Sequence, residues 1–418
     1  MEDRWEEDMS PTSKADLGVE FCGINLVNPF LLASAPPTAT GQMITRGFRQ
    51  GWAGAVTKTL VIDASAIVNV SPRLASLGHY HEEKREIYAF ENIELVTDRE
   101  LSVWLREIEK LRRDHPDRII IASIMDDASK PDGWQYLARK CEEAGAHIIE
   151  LNLSCPHGMP ERGMGQAIGQ DPELSRQVTQ WTAQAVQIPV MPKMTPNVTD
   201  VGMIARACVD GGARAISAIN TVASILGVDL DTMVPIPSVA GRSAFGGLSG
   251  PAIKPIALKA VYTIAESVDV PVSGIGGIWT WRDAAEFILL GASTVQVCSA
   301  VMARGFSVID ELQKGLSGYL RSKGLSSVRD LIGASLERVV PLMELDTKAR
   351  VLAHINPQRC IACGDCLISC RDSGYQAIIK SRKRGTYEIN ESRCTGCALC
   401  MQVCPVEGCI TMRPLETP

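Results

Sequence analysis

The sequence predicts an α/β chain: a (β/α)8 barrel followed by a small cysteine-rich domain. Two observations carry that expectation. From residue 29 to about 320, eight short apolar runs alternate with longer amphipathic stretches, and beyond residue 355 eight of the fourteen cysteines stand in two identical runs. The strand candidates are 29–35, 53–59, 118–125, 146–153, 189–195, 213–219, 270–275 and 293–299. They are rich in Val, Ile and Ala, as strands covered on both faces must be. Helical stretches include 98–114, 133–144, 171–186, 199–210, 251–267 and 280–290. Asp98, Asp171-Pro172-Glu173 and Thr199-Asp200 offer side-chain oxygens to the orphaned N–H groups of a helix start. Gly145, Gly212 and Gly291 stand where a helix would stop before the next strand. A doubly wound open sheet is the alternative reading of the same alternation.

The chain has 418 residues and a net charge of −6, enough length for two or more domains. Residues 1–16 are acidic and polar and are expected to be disordered, with no apolar segment resembling a signal peptide. The barrel spans 17–321. Residues 322–354 read as a linker of one or two helices broken by Pro341, with Pro357 just beyond, and 355–418 form the cysteine domain. The negative charge argues against nucleic acid, whose phosphates need a basic surface. No apolar run reaches the length of a membrane span, so no spanning helix is expected.

One cysteine run holds Cys360, Cys363, Cys366 and Cys370; the other holds Cys394, Cys397, Cys400 and Cys404, followed by Pro405. Each reads C-x2-C-x2-C-x3-C, the spacing of bacterial-type ferredoxins with two 4Fe–4S clusters. There the fourth cysteine of each run crosses to the other cluster. Cys360, Cys363, Cys366 and Cys404 would share one, and Cys394, Cys397, Cys400 and Cys370 the second. A disulfide framework suits a short secreted chain, and zinc usually takes separated C-x2-C pairs. Arg371 rather than proline follows the first run, which loosens a turn but leaves the ligands intact. Cys22, Cys141, Cys155, Cys208, Cys298 and Cys409 are scattered thiols. Free thiols beside oxygen-sensitive clusters fit a reducing compartment, so a cytoplasmic location is expected.

A barrel places its chemistry at the C-terminal ends of its strands. Those ends read Ser34-Ala35-Pro36, Thr57-Lys58-Thr59, Asn152-Leu153-Ser154-Cys155-Pro156-His157, Lys193 to Asn197, Asn220-Thr221, Gly274-Ile275-Gly276-Gly277 and Cys298-Ser299. Gly276, Gly277, Cys298 and Ser299, with Gly250 nearby, would form a phosphate clamp. The glycine string lacks the third glycine of a dinucleotide fingerprint. Buried lysines need partners, and a flavin that becomes anionic on reduction would serve Lys58 and Lys193; rim salt bridges are the simpler alternative. Clusters move single electrons while substrates usually take hydride equivalents, so a bridging cofactor is implied, and flavin is the standard one. FMN is expected over FAD, because no adenine-binding Rossmann unit is evident.

Gln296-Val297-Cys298-Ser299-Ala300, Thr57-Lys58-Thr59, Asn92-Ile93-Glu94-Leu95 and ELNLSCPHGMPERGMGQAIGQDPEL resemble the dihydropyrimidine dehydrogenase family. NVSPR, TPNVTD, PIALKAV and DSGYQAI extend the likeness from about residue 17 to 412. The length resembles the bacterial FMN/iron–sulfur catalytic subunit rather than the long single-chain animal enzyme. The barrel alone also resembles dihydroorotate dehydrogenase, which has no fused two-cluster ferredoxin. The resemblance implies Cys155 as the active-site acid/base, on a mobile loop over roughly 156–170. It puts Asn92, Asn152, Leu153, Ser154, Asn220 and Thr221 at the pyrimidine. It puts Ser34, Lys58, Thr59, Lys193, Gly250, Gly276, Gly277, Cys298 and Ser299 at FMN. Pro160, Ile168 and Ile219 depart from the family pattern.

The implied reaction is reversible reduction of uracil and thymine to their 5,6-dihydro forms, with hydride from FMN N5 to C6 and a proton from Cys155 to C5. A thiol of ordinary pKa, ~8.5, is protonated at neutral pH and suits that role. Asparagine amides offer both a donor and an acceptor to the uracil edges. With no nicotinamide domain evident, NAD(H), expected rather than NADP(H), and FAD would sit on a separate reductase subunit, making a hetero-oligomer. Dihydroorotate oxidation and a flavin electron-transfer adaptor are the competing functions.

Overall fold

A computed structural model describes residues 15–81, 84–155, 163–373, 375–381 and 385–415. Residues 156–162, with His157 and Pro160 and much of the expected mobile loop, and nearly all of the expected acidic N-terminus lie outside the described residues. The chain divides into two compact units, Met1–Arg338 and Val339–Pro418.

In the first unit eight parallel strands close a barrel: β1 Phe30–Leu32, β2 Gly54–Val56, β3 Ile119–Ile124, β4 Ile148–Asn152, β5 Val190–Met194, β6 Ile216–Ala218, β7 Val272–Ile275 and β8 Ala292–Val297. Each falls inside or within one residue of its expected range. A helix follows each strand: α1 Gly41–Gln50, α2 Leu101–Asp114, α3 Pro131–Glu143, α4 Pro172–Ala183, α5 Val201–Asp210, α6 Lys254–Ala265, α7 Trp281–Leu289 and α8 Val308–Ser322. Closure excludes the doubly wound sheet, because β1 pairs with both β8 and β2 and leaves no edge there.

Local chemistry sets the helix ends. Asp171 accepts from the N–H groups of Glu173 and Leu174, and Asp200 from Met203. Asp98 does not cap α2, which opens three residues later behind Glu100 without a side-chain cap. Its neighbour Arg99 is held instead by Glu107, 2.7 Å away. Gly145, Gly212 and Gly291 all have positive φ, as helix-stopping glycines do. Trp52, Trp104, Trp134, Phe30 and Phe287 are fully buried in the packed core. Truncating one such ring to Ala typically costs about 3–5 kcal/mol.

Strands that the apolar pattern left unassigned lie between β2 and α2 and between β6 and α6. Leu74–His81, Lys84–Asn92, Gly246–Ser249 and Val222–Ser224 form a four-stranded antiparallel sheet. In it Asn92 faces Gly247 and Val222 faces Leu248, so two distant excursions are joined. A hairpin of Gly227–Asp229 and Val234–Ile236 adds to the second excursion.

The expected helical linker 322–354 is corrected. It contains three short 3-10 turns, Val328–Leu331, Leu336–Arg338 and Leu342–Glu344, and its end begins strand Val351–Ile355 of the second unit. Gly324 and Gly333 at positive φ and Pro341 interrupt any longer helix. In the second unit Val351–Ile355 pairs with Ile410–Pro414, and Ile378–Lys380 with Tyr387–Ile389. Two short helices, Asp365–Asp372 and Leu399–Gln402, follow the first cysteines of the two runs.

Candidate active site and cluster cavities

A cleft of about 1100 Å³ opens among the strand ends and the antiparallel sheet. It is lined by all nine residues expected at a flavin, and by Asn92, Asn152, Cys155, Asn220 and Thr221. Leu153 and Ser154 do not line it; both are fully buried behind it. Ser154 nonetheless orients the wall, since its Oγ donates to Asn152 Oδ1 at 3.2 Å and accepts from Asn220 Nδ2 at 2.8 Å.

The asparagines are fixed by the protein before any ligand arrives. Asn152 Nδ2 donates to Thr59 Oγ1 at 2.9 Å, and Thr59 in turn meets Ser123 at 3.0 Å. Asn220 Oδ1 accepts from the Thr221 N–H at 2.8 Å, and Asn92 Nδ2 donates to the Gly247 carbonyl at 3.1 Å. Amides locked this way keep their remaining donor and acceptor sites in a set direction. Cys155, 8% exposed, follows this network. Its carbonyl accepts from Gln166 N–H at 3.1 Å, which ties the returning loop to the strand end. A Cβ on Gly165 would lie 3.0 Å from the Cys155 Cβ, so the close approach of that loop requires glycine.

The two lysines differ. Lys58 Nζ bonds Glu94 at 2.6 Å, and Arg73 holds the other Glu94 oxygen at 2.9 Å. Burial pushes the Glu94 carboxyl up, but Lys58 and Arg73 outweigh it and hold the group below the usual range. Lys193 is 5% exposed, and its Nζ lies 3.9 Å from Glu150 Oε1, beyond hydrogen-bond reach. Glu150 Oε2 accepts from Ser217 at 3.1 Å while Oε1 has no hydrogen-bond partner. Gln296 Oε1 is likewise buried without one, although its Nε2 donates to Ser273 at 3.2 Å. Burial pushes the Cys298 thiol up to about 11 despite Lys193 and Lys58 nearby, so it stays neutral in the cleft wall.

These features fit a planar, partly anionic group. Lys193 lies beyond hydrogen-bond reach of Glu150, and buried polar atoms of Glu150 and Gln296 remain unsatisfied beside the cleft. At Gly277 φ is +76, and a Cβ would come within 2.8 Å of the Lys254 backbone. Backbone, not side chain, therefore faces the cleft there, as close approach to a phosphate requires. The apolar pattern did not single out Glu94, Glu150 or Gln296 as site residues. A charged residue inside the apolar run IIELNL and a Gln inside STVQVC were the available signals.

In the second unit the cysteines gather as the crossed pairing requires. Cys360, Cys363, Cys366 and Cys404 line one cavity of about 310 Å³, with Cys409. Cys394, Cys397, Cys400 and Cys370 line another of about 390 Å³. Among the described residues no three His, Cys, Asp or Glu side chains converge on a single ion. Thiols spread around a cavity suit a polynuclear cluster better than one zinc ion. Burial pushes Cys366 and Cys400 up to about 11, so loading with iron must displace their protons. No helix among the described residues is long and apolar enough to cross a membrane.

The profile of the dihydroorotate dehydrogenase family matches residues 16–320, and that of the 4Fe–4S dicluster domain matches 353–412. The chain is 42% identical over 401 residues to the NAD-dependent dihydropyrimidine dehydrogenase subunit PreA of Escherichia coli, covering 95% of each. It is 42% identical over 333 residues to the chloroplastic dihydropyrimidine dehydrogenase (NADP(+)) of Arabidopsis thaliana, covering 78% of each. The catalytic subunit of dihydroorotate dehydrogenase B (NAD(+)) of Pyrococcus abyssi is 40% identical over 322 residues, 77% of this chain and 99% of that one. Identity alone scarcely separates the two activities. The match to the Escherichia coli subunit spans 401 residues, and that to the archaeal subunit 322.

Proposed function

The chain belongs to the dihydroorotate dehydrogenase family and is homologous to NAD-dependent dihydropyrimidine dehydrogenase subunits; from that premise we propose that it is the catalytic subunit of such an enzyme. The reaction is reversible reduction of uracil and thymine to their 5,6-dihydro forms. The observation that carries this reading is the convergence of Cys155 with the fixed amides of Asn92, Asn152 and Asn220 on one cleft.

The asparagine amides meet the alternating N–H and C=O edges of the ring and orient it. Cys155, nearly closed off from water, holds the proton delivered to C5 and takes it back in the reverse direction. Lys58, Lys193 and the Gly276-Gly277 turn would hold FMN, which when bound supplies the hydride equivalent for C6. Lys193 balances negative charge gained at the cleft. The clusters would be held by Cys360, Cys363, Cys366 and Cys404, and by Cys394, Cys397, Cys400 and Cys370. Their electrons would come from a partner subunit carrying FAD and the NAD(H) site.

Dihydroorotate would bring a carboxylate. Lys58 is already bonded to the Glu94 carboxylate, and no arginine lines the cleft among the described residues. One methyl changes binding by only about 1–3 kcal/mol, so uracil and thymine both fit. The test is steady-state turnover by the reconstituted holo-protein with an artificial electron carrier. Uracil and thymine are expected both to react, within about 200-fold of each other, and dihydroorotate to react far more slowly. Faster turnover of dihydroorotate would overturn the assignment. Rapid NADH oxidation by the chain alone would overturn the separate reductase.

A further inference from the structure

The second unit is built from two copies of one motif. Its halves run in register at a constant offset, Asn356, Cys360, Cys363, Cys366 and Cys370 matching Asn390, Cys394, Cys397, Cys400 and Cys404. The hydrogen bonds repeat as well. Asn356 accepts from Cys360 N–H at 3.1 Å, and Asn390 from Cys394 N–H at 3.1 Å. Strand pairing puts Ile355 opposite Ile410 and Ile389 opposite Ile378. Finally, Asn356 N–H donates to the Cys409 carbonyl at 2.7 Å, and Asn390 N–H to the Ala377 carbonyl at 2.6 Å. Cys409 and Ala377 are therefore equivalent positions, one in each cavity.

At this matched position the halves differ twice. In the second cavity the Ala377 backbone N–H donates to Cys370 Sγ at 3.3 Å. In the first, the corresponding Cys409 N–H is turned to the Val406 carbonyl at 3.1 Å, and Cys404 Sγ has no such amide. Cys409 instead brings a thiol, 2% exposed, to the cavity that Cys404 and Cys360 also line. Its own backbone contact is weak, Sγ lying 3.9 Å from Asn356 O.

We propose that Cys409 is a tuning residue of the first cluster, its S–H supplying the hydrogen bond to ligand sulfur that Ala377 N–H supplies in the second. The inference rests on the two-cluster reading and goes beyond it, since the ligand spacing has no role for a ninth cysteine. Each 4Fe–4S cluster gains one electron, and one negative charge, on reduction. A donor aimed at its sulfurs stabilises that added charge and raises the reduction potential.

The test is an anaerobic redox titration of the full-length holo-protein, followed by electron paramagnetic resonance, with iron counted first. Wild-type protein without two 4Fe–4S clusters would sink the two-cluster reading itself, whatever Cys409 does. With both clusters present, Cys409→Ala should keep its iron and lower one of the two potentials. The expected shift is about tenfold in the reduction equilibrium, about 59 mV for a one-electron couple. Cys409→Ser retains a donor and should recover most of the shift. Ala377→Cys, which adds a thiol to the other cavity while sparing its amide, should raise the other potential; it stands as the deciding variant if Cys409→Ala does not load. Unchanged potentials in the variants that load, or loss of a cluster confined to Cys409→Ala and Cys409→Ser, would overturn the proposal, the second outcome making Cys409 a ligand.

Discussion

In the barrel, Asn92, Cys155 and Asn220 reach one cleft from three elements far apart in the chain, each held by hydrogen bonds to its own neighbours and all by a core of buried aromatic and aliphatic side chains. In the second unit each cavity takes three of its four run cysteines from a single short run, around a core cluster of eight buried residues among those described, Cys366 and Cys400 included. The first site is a product of the fold; the second is close to being its cause. A unit so small has little apolar area to offset the entropy of ordering its chain, so iron binding must supply much of its folding free energy.

The largest expected effect breaks the second unit alone. Removing iron with a chelator should abolish hydrogen-exchange protection across 351–414 while leaving the thermal transition of the barrel in place. Persistent protection of the iron-free unit would contradict the contrast. Next in size, Cys155→Ala should keep its flavin and cluster absorbance and lose roughly 10²–10⁴-fold in pyrimidine turnover; full turnover would remove Cys155 from the chemistry. Asn220→Ala strips Ser154 Oγ of its donor and the cleft of one amide. We expect kcat/KM for uracil to fall by about 10–100-fold, from about 1–3 kcal/mol of lost and unpaired hydrogen bonding. The smallest is Gly277→Ala, which forces a side chain into a left-handed turn, at about 1–2 kcal/mol, and against the Lys254 backbone, so the turn beside the cleft must shift. Fluorescence titration should show FMN binding weakened by roughly tenfold, with cluster content untouched.

How legible each unit was follows from the same contrast. The cysteine spacing carries its own geometry, so the crossed grouping of Cys370 and Cys404 found in the cavities was readable from intervals alone. Barrel strands were readable because burial on both faces makes them continuously apolar. The sheet that carries Asn92 was not, because its strands are mixed in polarity and paired across the widely separated 74–92 and 222–249 segments. Asn92 came into view only through its likeness to a family. Glu150 and Lys193 meet across neighbouring strands, a register that a single sequence does not print. The 322–354 segment looked helical by composition, but its glycines and Pro341 act locally and leave only 3-10 turns.

The central claim joins the units: electrons held at the cysteine cavities leave through a pyrimidine in the barrel cleft. The most direct measurement is anaerobic mixing of fully reduced holo-protein with uracil, with flavin and cluster absorbance followed together and dihydrouracil quantified. The account predicts that both chromophores reoxidise, with one dihydrouracil formed for every two electrons lost. Clusters that stay reduced in the presence of uracil, or a chain reoxidised by orotate and not by uracil, would contradict it.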